Sequence, residues 1–171
     1  MFRVARLLVS LAILLAVGLV AGCSDSTGPS PIDAEAGIVF GAPRFAYCTP
    51  QPTAKASALI GPAGGTIKAG KHKLTFPQGA LTKATLITMV APSDTVNQVA
   101  FGPEGLVFPL GKHPELRMSY KHCRVPALAS KRIVYTTNSL QVQENLLTLD
   151  HLLVGEVAAR LKHFSRYALM Y

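Results

Sequence analysis

His163-Phe164-Ser165 is a tripeptide at which some proteins cut their own backbone, so the stretch LKHFSRYALMY, Leu161 to Tyr171, raises a question of chemistry as well as of fold. Other reactive side chains are sparse. The five histidines are His72, His113, His122, His151 and His163. None is paired at HxxxH spacing and no CxxC occurs, so the spacing gives a metal site no support. GPAGG lacks both the Lys-Ser/Thr and the following helix of a phosphate loop. There is no GxSxG elbow. Asp94 and Asp150 lie in contexts where capping a turn is the expected role. No cofactor, no small-molecule substrate and no catalysis on an external substrate is indicated. Three cysteines complete the inventory: Cys23, Cys48 and Cys123.

Whether any of these residues can react depends on where the chain resides. It opens MFRVARLLVSLAILLAVGLVAGC, with Arg3 and Arg6 ahead of an unbroken apolar run from Leu7 to Ala21. A charged segment followed by an apolar one is the layout of a secretory signal peptide. The run is short for a permanent span, which needs about 20 apolar residues. Val20-Ala21-Gly22-Cys23 resembles the lipobox of bacterial lipoproteins: an aliphatic residue, two small residues, then cysteine. That resemblance implies diacylglycerol on the Cys23 sulfur, cleavage after Gly22, and acylation of the new amino group. The alternatives are an ordinary signal peptide cut nearby or an uncleaved helix. Two or three acyl chains anchor stably where one does not, so the mature protein is expected to stay on a membrane. Ser24 after the cysteine, rather than Asp, favours the outer membrane of a Gram-negative envelope, on its periplasmic or its surface face.

Removing 22 of 171 residues leaves about 150, enough for one domain with a core. Losing Arg3 and Arg6 takes the net charge from +8 to +6. A basic protein on an anionic envelope suggests contact with polyanions through residues such as Lys71 and Lys73; a merely solvated basic surface is the alternative. Nucleic acid is not expected, since no Arg/Lys stripe interleaved with aromatics appears. With Cys23 taken by lipid, Cys48 and Cys123 form an even remainder in an oxidising compartment, which suggests one disulfide. Its long loop would contribute about 4 kcal/mol in the chain-entropy account. Two separate buried thiols are the other reading.

Residues 23–37 are rich in Ser, Pro, Gly and Asp and read as a lipidated flexible tether after the signal peptide of residues 1–22. Residues 38–56, including IVFGAPRFAYC, form a lead-in strand or loop. From Ser57 onward short strands alternate with Gly/Pro punctuation, which predicts an all-β sandwich over residues 57–171. GTIK and KHKLTF, parted by Ala69-Gly70, suit a hairpin. In KHKLTF, His72, Leu74 and Phe76 alternate with Lys71, Lys73 and Thr75. TLITMV is apolar on both faces and predicts a central strand. ELRMSYK places Leu116, Met118 and Tyr120 on one face, with Glu115, Arg117, Ser119 and Lys121 on the other. SLQVQENLLTLDHLL suits either a strand pair or one helical turn.

GPAGGTIKAGKHKLTFPQGAL resembles the start of a ZU-5 domain, the β-sandwich of ankyrins and netrin receptors. The family's Gly-Gly-Thr is Gly64-Gly65-Thr66, and its strand-ending Phe-Pro-x-Gly-Ala is Phe76-Pro77-Gln78-Gly79-Ala80. Its Gly-Pro-x-Gly-x-x-Phe segment is Gly102 to Phe108, and its closing His-Phe-Ser-x-Tyr is His163 to Tyr167. The likeness covers about Leu59 to Tyr171. Independently of the family, Pro77 removes a backbone donor, Gly79 can take positive φ, and FGPEGLVFP reads as a turn returning Val107 and Phe108 to the core. No death domain, ankyrin repeat or second UPA-type domain is expected here, so the partners of the animal proteins do not carry over.

In family members that cut themselves, the Ser hydroxyl attacks the preceding Phe carbonyl. The amide becomes an ester, which water resolves. The resemblance thus gives Ser165 as nucleophile, Phe164–Ser165 as the scissile bond and His163 as base. Strand geometry bears on this. A regular strand would place Val157, Ala159, Leu161, His163, Ser165, Tyr167 and Leu169 on the inner face and Phe164 outside, against the tendency of Phe to be buried. A bulge near His163 or Phe164 would turn Phe164 inward and supply the distortion that cleavage needs. The reading of the sequence is a non-enzymatic, lipid-anchored envelope protein presenting a ZU-5-like sandwich for protein or surface interaction. Self-cleavage and polyanion binding are its two alternatives.

Overall fold

Alternation decides which face each strand buries. In β3 (His72–Phe76), His72, Leu74 and Phe76 are buried while Lys73 and Thr75 are half-exposed. In β6 (Glu115–Ser119), Leu116 and Met118 are enclosed and Glu115 and Arg117 face outward. Period-two side chains line one face only, so each such strand needs a second layer over its apolar side. The structure, a computed structural model, describes residues 43–171, and within them that layer is another sheet. The signal peptide, the tether and Cys23 lie outside the described residues.

β1 (Ala54–Ile60), β4 (Thr85–Ala91), β5 (Gln98–Gly102), β11 (Arg166–Met170), β7 (Arg132–Thr136) and β8 (Val142–Asn145) form one sheet in that order. β2 (Gly65–Ala69), β3, β6, β10 (Glu156–Arg160) and β9 (Thr148–His151) form the other. Every pairing of named strands is antiparallel. Ile87, Met89, Val99, Ile133 and Leu169 from the first sheet share one core with Leu74, Leu116, Met118 and Val157 from the second. The fold is all-β and sandwich-like, as the strand pattern predicts.

Several local expectations shift. The β2–β3 hairpin closes at the Ala69–His72 pair, so its turn is Gly70-Lys71, one residue later than the Ala69-Gly70 gap. β4 is internal as expected, but it buries only one face. Ile87 and Met89 are enclosed, while Leu86 pairs with Leu59 on the exposed side. Ser119 is buried, not outward, and its carbonyl accepts from Asn97 Nδ2 at 2.9 Å. The ambiguous stretch supplies two strands, β8 and β9, which join different sheets instead of pairing with each other, and then a single 3-10 turn at Leu152–Val154. β3 stops at Phe76 before Pro77, and Gly79 takes φ +80 with its N–H on the Pro62 carbonyl at 2.8 Å.

The first strand begins at Ala54, ahead of Ser57, and the lead-in belongs to the domain. Arg44 and Tyr171 exchange backbone hydrogen bonds of 2.9 and 2.9 Å, and Phe45, Tyr47 and Cys48 make bridges to Met170, Val96 and Cys123. Lys131, the last residue of the β6–β7 loop that carries Cys123, is buried. Its ammonium donates to Asp150 at 3.1 Å and to the Ala127 and Ala129 carbonyls, and lies 5.0 Å from the Tyr120 ring. The Tyr120 hydroxyl donates to the other Asp150 oxygen at 2.8 Å. Burial, with that carboxylate beside it, pushes the phenol up to about 12.

Candidate functional site

His163, Phe164 and Ser165 do not lie in a strand. β10 ends at Arg160 in one sheet and β11 begins at Arg166 in the other, so Leu161–Ser165 is the crossing between them. The crossing is held by the loop after β5. Leu106 O accepts from Phe164 N–H at 2.7 Å, Gly105 N–H donates to Phe164 O at 3.0 Å, and Phe108 N–H donates to Lys162 O at 2.9 Å. This replaces the continuous strand over LKHFSRYALMY. Neither a regular strand nor a bulge describes it, though it does what the bulge was expected to do: Phe164 turns inward, to 1% exposure. Its ring stacks on Phe101 at 5.0 Å and meets the edges of Phe108 and Phe76 at 5.0 and 6.0 Å. The same loop buries Phe108 but leaves Val107 exposed, so only one of the two expected residues returns to the core. Val107 instead makes a backbone bridge to His163.

The groups that self-cleavage would use are unevenly arranged. Ser165 is nearly buried, and its carbonyl accepts from Phe101 N–H at 3.1 Å. The Phe164 carbonyl already holds one N–H donor, from Gly105, of the kind that stabilises a developing oxyanion. The His163 ring packs edge-on against Tyr135 at 4.9 Å and beside Tyr167 at 6.3 Å. Among the described residues no hydrogen bond links it to Ser165. Tyr167 donates its hydroxyl to the His163 carbonyl; burial, then Glu144 and Tyr135, raise that phenol well above its ordinary range.

A second cluster forms around the cysteines. Cys48 and Cys123 are joined as a disulfide across 75 residues, which bears out the bridged reading. His122 precedes Cys123, and the start of β3 brings in His72, with the two ring centroids 6.4 Å apart. A cavity of about 310 Å³ opens among Cys48, Lys71, His72, Asp94, Asn97 and His122. His72 is buried, and its pKa falls to about 4 through burial first, then the nearby His122 and Lys71. His122 is lowered by burial and then by Lys71. For Asp94, burial pulls upward but is outweighed by hydrogen bonds from Val96 N–H and the Gln98 and Thr95 groups, so the carboxyl is lowered.

The third feature is electrostatic. Across the outer face of the second sheet, Lys68 pairs with Lys73, and Lys73 with Arg117. One row thus carries three cations directly opposite one another, an arrangement that costs stability. Arg160 lies in the next row opposite Glu115, the carboxylate that bonds Arg117 at 2.7 Å. Lys71 does not join the row; it sits in the hairpin turn beside the cavity.

The sequence reading found the disulfide, put the tripeptide in a strand where the structure has a crossing, and missed the histidine pair and the cationic row. His72 and His122 are 50 positions apart, and only the β3–β6 pairing brings them together. The row was within reach, since Lys68, Lys73 and Arg117 all fall on the polar side of their alternating strands. No protein-family model matches the chain, and no curated protein matches it.

Proposed function

We propose that this chain is a non-enzymatic, lipid-anchored protein of the bacterial cell envelope that presents a ZU-5-like β-sandwich to an anionic surface or partner. The Lys68–Lys73–Arg117 row carries the reading. Like charges set opposite one another oppose sheet formation, so a fold that keeps them in register gains from them elsewhere, and an anionic partner is what they fit. The ZU-5 resemblance is supported by where its motif residues meet: Phe76, Phe108 and Phe164 come from three of the motifs and pack as one aromatic group. Anchoring rests on Val20-Ala21-Gly22-Cys23.

One fractionation experiment separates the two parts. Cys23→Ser should move the protein from the membrane pellet to the soluble fraction. Lys68→Glu/Lys73→Glu/Arg117→Glu should leave membrane anchoring intact but abolish salt-sensitive retention of the purified protein on vesicles containing anionic lipid. Retention that is unchanged in the triple variant, or insensitive to salt in the wild type, would refute the anionic-partner reading.

A second reading is self-cleavage at Phe164–Ser165, favoured by the Gly105 N–H on the Phe164 carbonyl. The Ser165 hydroxyl would attack that carbonyl carbon, the C–N bond would break as an ester forms, and water would then release Ser165 to Tyr171. Intact mass under denaturing conditions tests it: cleaved protein lacks these seven residues, and Ser165→Ala abolishes the loss. An unbroken wild-type chain after prolonged incubation rules it out.

A further inference from the structure

The two cysteines are held opposite each other by more than their sulfur bond. Thr49 N–H donates to His122 O at 2.9 Å, and Arg124 N–H donates to Tyr47 O at 2.9 Å, on either side of the Cys48–Cys123 bridge. Neither bond involves sulfur, so the side chains remain juxtaposed when the disulfide opens. A ring nitrogen of His122 and the two sulfurs all lie within 4.8 Å of one another. His72 stands next to His122 and is 6% exposed, and Nδ1 of each ring is buried without a hydrogen-bond partner. Burying a polar atom unpaired is unfavourable by about 1–3 kcal/mol, and two imidazoles in that state point to a missing ligand. Asn97 donates from Nδ2 to Cys123 Sγ at 3.4 Å, the kind of outer contact that orients and tunes a metal-bound sulfur.

We propose that Cys48, Cys123, His122 and His72 form a metal site that the disulfide closes and reduction opens. In the oxidised protein neither sulfur is a thiolate, so the site lacks two of its four ligands. A dithiol reductant delivers two electrons and two protons. The S–S bond breaks, two thiols form, and the reductant leaves as its own disulfide. Binding of a divalent ion then releases both thiol protons to solvent. Two thiolates and two imidazoles suit a tetrahedral borderline ion, Zn²⁺ foremost. Metal–sulfur and metal–nitrogen distances of about 2.3 and 2.0 Å place tetrahedral ligand atoms roughly 3.3–3.8 Å apart, so the His122 nitrogen and the two sulfurs are already near ligand spacing once the S–S bond opens, while His72, with its ring centroid 6.4 Å from that of His122, has to turn toward them. The cavity beside Cys48 and His122 gives the ion and the reductant a way in. Lys71 on the cavity wall offsets thiolate charge while the site is empty of metal.

The test uses the full chain carrying Cys23→Ser, so that Cys48 and Cys123 are the only thiols. After reduction and removal of the reductant, Co²⁺ should bind at one equivalent, with thiolate-to-cobalt charge transfer and tetrahedral ligand-field bands, and Zn²⁺ should displace it. The oxidised protein should show neither. His122→Ala and His72→Ala, which retain both cysteines, should each weaken binding by at least the roughly 10–100-fold that loss of an outer-shell partner causes. Absence of the bands in reduced protein, equal binding by oxidised protein, or unchanged affinity in both histidine variants overturns the proposal. Should reduction itself unfold the chain, Zn²⁺ must restore its β-sheet circular dichroism; failure to do so overturns it equally.

Discussion

Phe164→Ala should lower the unfolding free energy of the domain by about 3–5 kcal/mol, the range for emptying a fully buried Phe site. The ring is 1% exposed and is the common neighbour of Phe76, Phe101 and Phe108. The cavity would open where the chain crosses between sheets, with neighbours from β3, β5 and the following loop losing contacts together. Phe101 and Phe108 are anchored by backbone bonds to Ser165 and Lys162 on either side of Phe164, so the site cannot collapse easily. Native domains hold only about 5–15 kcal/mol in total, so the variant would be marginal near 37 °C. Phe164→Leu, which keeps much of the volume, should cost about 1.5 kcal/mol or less. Urea unfolding monitored by circular dichroism gives both values. Similar midpoints for wild type and Phe164→Ala would mean that the aromatic group does not organise the crossing. The comparison also separates stability from chemistry, because Ser165→Ala removes only a small hydroxyl and should leave the midpoint nearly unchanged.

That crossing shows where the sequence stops being readable. KHKLTF and ELRMSYK announce their buried faces, because each is half-covered and period two survives in the composition. EVAARLKHFSRYALM contains no Gly or Pro to mark a break, and so reads as one long strand. The chain changes sheets there because the loop around Gly105, Leu106 and Phe108 offers hydrogen bonds to Lys162 and Phe164, partners more than fifty residues away in sequence. One local sign of the switch was present: continuing the alternation would have put Phe164 outside and His163 and Ser165 inside, a conflict that a bulge or a break in the strand relieves.

The disulfide and the cavity beside it divide in the same way. Counting cysteines finds the bridge, since subtracting Cys23 leaves a single pair. No count finds the histidines. His72 looks like one residue of an alternating strand and His122 like a turn residue; their shared environment arises because Lys73 pairs with Arg117, which sets His72 beside the end of β6. The cationic row follows from that same register. Pairings between distant segments create each of these sites, and a single sequence leaves such pairings open.

Acid should expose the buried histidine. His72 has an ordinary pKa of 6.5 and a folded-state value of about 4, so between those limits the unfolded chain binds a proton that the native state refuses. Stability then falls as pH falls. Its contribution is complete above about pH 6.5, declines through the interval, and is gone below about pH 4. The difference corresponds to about 3 kcal/mol. Because His72 is 6% exposed, solvent screening does little to reduce that figure. The charged and titratable groups around it reinforce the direction: His122 and Lys71 both disfavour a second cation in the cavity, and the lowered His122 destabilises the native state over part of the same window. Asp94, lowered from 3.8, adds its own loss only in more acidic solution. His72→Gln, which cannot be protonated, should flatten the curve between pH 6.5 and 4 while leaving the steeper acid limb below it. Urea midpoints measured across that interval decide the matter. Parallel curves for wild type and His72→Gln would mean that His72 takes up its proton in the folded protein as readily as in the unfolded chain, and that the cavity is wetter than its lining implies.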